Sequence, residues 1–136
     1  MPDRIQLRRT KGWRIPEGAV KVDRATRWGN IFWPGQRVVA PGAYGSLASP
    51  YRGCLPSGRY QFGSGGPRDY EIRRVRDRAD AVALFESYVR ADPSGWPPDD
   101  IRYSLGGCDL ACWCDLPVPG EPDICHARIL RELANA

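Results

Sequence analysis

Lysine and histidine are scarce in this chain of 136 residues. Lys11 and Lys21 are the two lysines and His126 is the one histidine, so arginine carries nearly all of the positive charge. Arginine suits the recognition of phosphate and carboxylate groups because its planar guanidinium donates paired hydrogen bonds, although a GC-rich genome would produce the same composition. The net charge of +4 is too small to require nucleic acid as a partner.

Long apolar runs are missing as well. No stretch reaches the roughly 18 apolar residues that a membrane-spanning helix needs, and Met1-Pro2-Asp3-Arg4 lacks the apolar core of a signal peptide. We therefore expect a cytoplasmic protein without a membrane partner. The five cysteines are an odd number and four of them follow residue 107, which argues against a secreted disulfide framework. Metal binding, catalysis and simple burial remain as explanations for them.

Several familiar catalytic signatures are also absent. The chain has no Gly-rich phosphate loop ending in Lys-Ser or Lys-Thr, no Gly-x-Ser-x-Gly elbow and no His-Glu-x-x-His pair. The His-x-Glu and Pro-Cys-x-x-Cys motifs of the zinc deaminases are missing too. The function must therefore be sought in less common combinations of residues.

Glycine and proline are abundant, with 15 and 13 residues, about a fifth of the chain against an average near 12%. A hydrophobic content of 42% is nevertheless that of a folded protein, and the length suits a single domain over residues 1–136. Thirteen of the glycines and prolines fall within residues 33–69. We predict a loop-rich insertion there, without a regular element of any length beyond a hairpin arm at residues 36–39.

The spacing of apolar residues predicts the regular elements. Strands show alternating or continuous apolar residues, whereas helices show steps of three and four. These patterns place strands at 4–9, 19–23 and 110–114, helices at 79–90 and about 125–134, and a helical turn or two within 99–105. This order favours a small, layered α/β fold in which the strand at 110–114 is central and buried.

Cys112-Trp113-Cys114 and, after ten intervening residues, Cys125-His126 form the strongest constellation in the sequence. On a strand, Cys112 and Cys114 would project from the same face because side chains alternate. With Asp123 as the N-cap, Cys125 and His126 would lie in the first turn of the last helix, where backbone N–H groups stabilise a thiolate.

Three interpretations of this constellation stay open. Three thiols and one imidazole are a ligand set for tetrahedral zinc, although the single residue between Cys112 and Cys114 is fewer than the usual two to four. A substrate pocket would use Cys125 or His126 as nucleophile, general base or phosphate anchor, since His126 has its ordinary pKa near neutrality. Small core cysteines beside a hydrogen-bonded histidine are the third interpretation.

Thr26-Arg27-Trp28-Gly29-Asn30 is a second constellation. Stacking on Trp28, charge from Arg27 and hydrogen bonds from Asn30 would bind a planar anion such as a nucleotide, and Gly29 would let the backbone approach it. A turn in which Trp28 fills the core explains the same residues equally well.

A basic row precedes this motif and consists of Arg4, Arg8, Arg9, Lys11 and Arg14. Arg4 and Arg8 would share one face of the first strand and contact phosphates there, and binding to nucleic acid would weaken steeply with salt. A solvated, charged strand edge that prevents aggregation is the alternative.

The combination of these motifs resembles a family of short bacterial and bacteriophage proteins known as domain of unknown function 4326. The resemblance rests on residues 4–9, 26–32, 79–85, 105–114 and 125–130. Ile31 stands where family members have proline, and residues 117–122 lengthen the link between the Cys-Trp-Cys and Cys-His pairs.

The resemblance implies a small single-domain α/β protein with a Rossmann-like layered fold and a site at the end of the buried strand. It also implies that the recurring polar and aromatic residues of the family belong to one pocket, namely Trp28, Gly29, Asn30, Cys112, Cys114, Cys125 and His126. It supplies no reaction.

Two classes of function follow as hypotheses. In the first, the chain binds a nucleotide-like or phosphorylated ligand between residues 27–30 and Cys125-His126, held by Arg8 or Arg27, and acts as a hydrolase or transferase on a glycosidic or phosphate bond. In the second, zinc stabilises a nucleic-acid-binding module whose arginines make the contacts. The segment 33–69 would also suit a protein-interaction surface.

Overall fold

Residues 2–41, 48–62, 68–90 and 98–136 are described in this computed structural model of the protein. The chain forms two compact units, one made of Met1–Asn30 with Ser94–Ala136 and the other of Ile31–Pro93. Each unit has its own sheet. Two parts of the predicted insertion, residues 42–47 and 63–67, lie outside the described residues.

The described residues contain seven strands and three helices. In chain order, the strands are β1 (Arg4–Gln6), β2 (Val20–Lys21), β3 (Arg37–Pro41), β4 (Ser49–Pro50), β5 (Gly58–Phe62), β6 (Arg68–Arg74) and β7 (Leu110–Cys112), and the helices are α1 (Arg78–Arg90), α2 (Pro98–Leu105) and α3 (His126–Ala134).

A parallel sheet with the order β1-β7-β2 forms the centre of the first unit. All three residues of β7 are buried, as expected of an apolar run inside a parallel sheet. The prediction of a central, buried strand is confirmed, but the strand ends at Cys112 rather than at Cys114. Residues 113 and 114 form a bend instead.

Helices α2 and α3 complete the first unit and pack against each other, and α3 also packs against β7 and β1. Ala127, Ile129 and Leu130 of α3 are buried, because apolar side chains three or four positions apart share one face of a helix. Both helices lie where the apolar spacing predicts them.

The carboxyl ends of the three parallel strands meet at one edge of this sheet. The N–H of Leu7 donates to the Cys112 carbonyl, and the N–H of Val22 donates to the Ala111 carbonyl, both at 2.8 Å. In α/β proteins this edge is where ligands bind. The chain leaves β7 at the same edge, toward Cys114.

The second unit holds an antiparallel sheet with the order β4-β3-β6-β5, together with helix α1. The register pairs Val39 with Ile72 and Tyr60 with Tyr70, and the rings of Tyr60 and Tyr70 stack with centroids 5.6 Å apart. Ile72 and Phe85 are fully buried, so this unit has an apolar core of its own.

The prediction of a segment 33–69 almost without regular elements is wrong, since β3, β4 and β5 lie within it. Three of its prolines and glycines lie at strand ends or in edge strands, where a sheet tolerates them. Pro41 is the last residue of β3, Pro50 lies in the two-residue edge strand β4, and Gly58 is the first residue of the edge strand β5.

The protein therefore belongs to the mixed class of helices and strands, with both parallel and antiparallel pairing. None of the helices in the described ranges is long and apolar enough to cross a membrane.

An ion pair joins β6 to α1 in the second unit. Two nitrogens of Arg73 donate to the Asp80 carboxylate at 2.6 and 3.0 Å, and the N–H of Arg76 donates to it at 2.9 Å. The hydrogen bonds from Arg73 lower the pKa of Asp80 below its ordinary value. The contribution of Asp80 to stability is thus complete above the ordinary aspartate pKa and is lost as the pH falls through the lowered one.

We expect Asp80→Asn to destabilise the second unit by about 1.5–3 kcal/mol at pH 7, because hydrogen bonds to a charged group are lost. The difference from the original chain should start to shrink below pH ~3.9 and vanish as the pH falls through the lowered pKa of Asp80. Hydrogen exchange of the α1 amides measures the effect. Glu86→Gln, which removes the exposed pair with Arg90, is the control and should change stability by less than about 0.5 kcal/mol; equal effects of the two variants would contradict the assignment.

Candidate functional site

Three cysteines and the histidine converge at the carboxyl end of β7. Cys112 is the last residue of β7, Cys114 follows it by two positions, Cys125 is the N-cap of α3 and His126 is the first residue of that helix. Cys112, Cys125 and His126 are 4%, 0% and 5% exposed. The sequence constellation is therefore a single cluster in the structure, in which Cys114 is half-buried and the other three residues are buried.

The ligand atoms of this cluster are close together. Those of Cys112, Cys125 and His126 all lie within 4.8 Å of one another. The Sγ of Cys114 is 3.9 Å from the Sγ of Cys112, and both of these thiols raise the pKa of the Cys125 thiol. Such a cluster could hold a metal ion.

A backbone hydrogen bond orients the ring of His126. Its Nε2 lies 2.6 Å from the carbonyl oxygen of Val22, and since a carbonyl only accepts, Nε2 must carry the proton. The other nitrogen, Nδ1, lies 3.8 Å from the Sγ of Cys125. In the neutral ring Nδ1 therefore has a lone pair in contact with the cysteine cluster.

The surroundings favour the uncharged forms of Cys112, Cys125 and His126. The hydrogen bond with Cys114, and then burial, raise the pKa of the Cys112 thiol. Hydrogen bonds with Cys112 and Cys114, together with burial, raise the pKa of Cys125 far above its ordinary value. Burial lowers the pKa of His126. Without a cation beside them, Cys112 and Cys125 are therefore held as neutral thiols.

The predicted N-cap of the last helix, Asp123, is wrong. Cys125 is the N-cap, with extended φ and ψ of −143° and 142°, and its side chain makes no capping hydrogen bond. Asp123 instead accepts a hydrogen bond from the Nε of Arg4 at 2.5 Å. The buried ion pair competes successfully for this carboxylate because the alternative is an unpaired buried guanidinium.

Arg4 itself is buried rather than part of a solvated row. Its side chain is 2% exposed, and besides Asp123 it donates to the carbonyls of Cys114, at 2.8 Å, and Asp115. Arg4 thus joins the segment Cys114-Asp115 to Asp123, which lies two residues before Cys125. Both ends of this connection are cysteines of the cluster.

The loop with the second constellation lies against His126. The ring of His126 is hydrogen-bonded to the backbone of Trp28 as well as to that of Val22. Trp28 is only 6% exposed, and the guanidinium of Arg27 lies 4.1 Å from the centre of its ring. Arg27 also pairs with Asp100 at 2.8 Å. The two constellations are therefore neighbours, in contact through the histidine.

Glycine is required at position 29 because two stretches of backbone approach each other there. A Cβ on Gly29 would lie 2.6 Å from both the Asp23 oxygen and the Arg24 Cα. The next residue, Asn30, is buried and its carbonyl accepts a hydrogen bond from Arg24. The roles predicted for residues 27–30 in ligand binding stay predictions.

A pocket of about 480 Å³ lies along β1 in the first unit. Its walls are Asp3, Arg4, Ile5, Gln6, Arg8, Trp13, Pro16, Leu116, Pro117, Asp123 and Arg131. Arg8, predicted to bind an anion, is one of them. Of the described residues that form these walls, none comes from 27–30 or from the Cys/His cluster.

Sequence reasoning missed four residues that organise these sites. Asp123 and Arg131 line the pocket, as does Trp13, and buried Asp23 accepts a hydrogen bond from the indole of Trp113 at 2.9 Å. Asp23 has a local signal, since a turn follows it in which its side chain accepts from the N–H of Ala25. Asp123 and Arg131 act through contacts with residues more than a hundred positions away, and no local pattern marks Trp13 as a residue of the pocket wall.

Comparison with known families matches residues 5–136 to a family model. The chain belongs to the family described as Domain of unknown function (DUF4326). The match covers all four members of the Cys/His cluster and residues 27–30, so the resemblance in the sequence is confirmed. Neither a curated protein nor a solved structure matches this DUF4326 chain.

We expect Arg4→Met to destabilise the DUF4326 protein by about 3–5 kcal/mol, because it leaves the Asp123 carboxylate buried without its partner. Urea unfolding followed by circular dichroism measures the change. Arg102→Met is the matched control in the same unit, since the Arg102–Asp99 pair is exposed and such pairs contribute about 0–1 kcal/mol. A similar loss in both variants would show that Arg4 is an ordinary surface arginine.

Proposed function

We propose that the protein binds a phosphorylated, nucleotide-like ligand in the pocket along β1. One observation carries this proposal. Among the described residues, the buried Nε of Arg131 has no hydrogen-bond acceptor and the buried Oδ1 of Asp123 has no donor, and both residues line the pocket. Unpaired buried polar groups cost about 1–3 kcal/mol each, so a ligand toward which the two side chains turn to pair these atoms would be favoured.

The two unpaired groups, Nε of Arg131 and Oδ1 of Asp123, need hydrogen-bond partners of different kinds. The Nε of Arg131, with the exposed guanidinium of Arg8 beside the same pocket, suits a phosphate or another anion. The Oδ1 of Asp123 needs a donor such as a hydroxyl or amino group. A nucleotide carries both kinds of group, since it joins a phosphate to a sugar and a base.

Size and shape agree with a ligand of this class. Pockets for small molecules usually measure about 300–1,000 Å³, and the volume here is about 480 Å³. Trp13 offers a flat aromatic surface in the wall, and the other apolar residues there are Ile5, Pro16, Leu116 and Pro117. A base would stack on such a surface.

The proposal is limited to binding. Cys125 and His126, predicted as catalytic, are almost fully buried and do not line this pocket within the described part of the chain. Hydrolysis or transfer would need another group in contact with the ligand. The proposal includes a Rossmann-like arrangement for the first unit, supported by its parallel sheet and two helices, and a cytoplasmic location.

We expect adenosine monophosphate to bind more tightly than adenosine, and Arg8→Ala to weaken its binding about tenfold, because a charge-assisted hydrogen bond contributes about 1.5–3 kcal/mol. Isothermal titration calorimetry measures both differences. Arg14→Ala, at an exposed arginine of the same connection outside the pocket walls, should leave binding unchanged. Failure of all four ribonucleoside monophosphates to bind at about 1 mM would overturn the proposal.

A second candidate, a nucleic-acid-binding module stabilised by zinc, is favoured by a different observation. Arg8, Arg9, Lys11 and Arg14 are all exposed in the connection between β1 and β2. A contiguous basic segment of this kind is suited to contact successive phosphates.

For this second candidate we expect binding to duplex DNA that weakens steeply with salt, and an Arg14→Ala variant whose salt slope is smaller by about one unit. Fluorescence anisotropy with a labelled duplex measures the slope. Arg78→Ala, at an exposed arginine in the second unit, is the control. An affinity that does not change with salt would exclude phosphate contacts by this segment.

A further inference from the structure

We propose that Cys112, Cys114, Cys125 and His126 hold one structural zinc ion at the carboxyl end of β7. The donor set is the first support. Three thiols and an imidazole are typical ligands of zinc in closed, tetrahedral sites, whereas calcium and magnesium prefer oxygen donors. The proposal is separate from ligand binding in the pocket along β1.

The distances are the second support. Zinc lies about 2.3 Å from thiolate sulfur and about 2.0–2.1 Å from imidazole nitrogen, so a tetrahedral site has sulfur pairs about 3.8 Å apart and sulfur–nitrogen pairs about 3.6 Å apart. The Sγ atoms of Cys112 and Cys114 are 3.9 Å apart. The Sγ of Cys125 is 3.8 Å from the Nδ1 of His126. Both distances are close to those between the ligand atoms of a tetrahedral zinc site.

The hydrogen bond of His126 is the third support. A histidine that ligates a metal almost always donates its other ring N–H to a carboxylate, a backbone carbonyl or a water. Here Nε2 donates to the carbonyl of Val22 at 2.6 Å. This bond leaves Nδ1, the nitrogen in contact with Cys125, as the ligand atom.

The local backbone explains how a Cys-x-Cys pair can serve in place of the usual longer spacing. In a continuous strand, Cys112 and Cys114 would be separated by the rise of two residues, which is about 6.6 Å along the strand. Because β7 ends at Cys112 and residues 113–114 form a bend, the Sγ atoms of the two cysteines lie only 3.9 Å apart. The bend also leaves Trp113 outside the cluster, with its indole bonded to Asp23.

Four protein ligands leave no coordination position for a substrate, which is the arrangement of a structural rather than a catalytic zinc. The ion would join the end of β7 to the start of α3, across the connection that Arg4 fastens through Cys114, Asp115 and Asp123. Cys125 and His126 then act as ligands, not as nucleophile and base.

The direct test is the zinc content of the full chain purified without a histidine tag from zinc-supplemented cultures. We expect about one zinc per chain by elemental analysis. Cys54 and Cys108, which lie outside the cluster, should be the two thiols that react in the native protein, and all five should react after chelation and unfolding. A zinc content near zero, another metal in its place, or a disulfide between Cys112 and Cys114 would overturn the proposal.

The zinc content of cysteine variants tests which residues bind the ion. We expect Cys114→Ser to lose stoichiometric zinc, whereas Cys108→Ser, which removes a cysteine just before β7, retains it. Equal zinc in both variants would contradict the assignment. Arg8→Ala should also retain zinc, so a failure of nucleotide binding and a failure of zinc binding are distinguishable.

Cobalt provides a readout that does not depend on the folding of a variant. Metal-free, reduced wild-type protein titrated with Co²⁺ should develop the intense visible bands of tetrahedral cobalt and thiolate-to-cobalt charge transfer, saturating at about one equivalent. The weak spectrum of six-coordinate aqueous cobalt would contradict a tetrahedral thiolate site.

Discussion

The guanidinium of Arg4 is buried between the chain that leaves β7 and the chain that enters α3. It pairs with Asp123 and donates to the carbonyls of Cys114 and Asp115, so one side chain of β1 satisfies groups on both sides of the connection. Removing it would leave a buried carboxylate and two carbonyls without their partner, and the cost of such groups is high. The positions of Cys114 and Cys125 depend on this arrangement.

Arg4 and Asp123 link the two candidate sites of the first unit, the pocket along β1 and the Cys/His cluster. Arg4 and Asp123 line the pocket along β1 and also flank the Cys/His cluster, and the connection from Cys114 to Cys125 supplies Leu116 and Pro117 to the pocket wall. An ion that fixes both ends of this connection would order that wall. Arg8, by contrast, contributes to the pocket wall and has no part in the cluster.

The elements of the first unit could be predicted because their signals are local. The apolar run of β7 and the three- and four-residue steps of α3 are visible in the sequence, as is the proximity of Cys112 to Cys114. The pairing of Arg4 with Asp123 joins residues 119 positions apart, so the sequence suggested a helix cap for Asp123 instead. The antiparallel sheet of the second unit could not be predicted for a similar reason, because strand pairing is non-local. Pro41, Pro50 and Gly58 resemble loop residues until their positions at a strand end or in an edge strand are known.

The central claim is that three sulfurs and one imidazole nitrogen converge on one ion at the end of β7. Zinc K-edge X-ray absorption of the protein as purified measures the first coordination sphere directly. The account predicts three sulfurs at about 2.3 Å and one nitrogen at about 2.0–2.1 Å. A sphere dominated by oxygen and nitrogen, or one with fewer than three sulfurs, would contradict it.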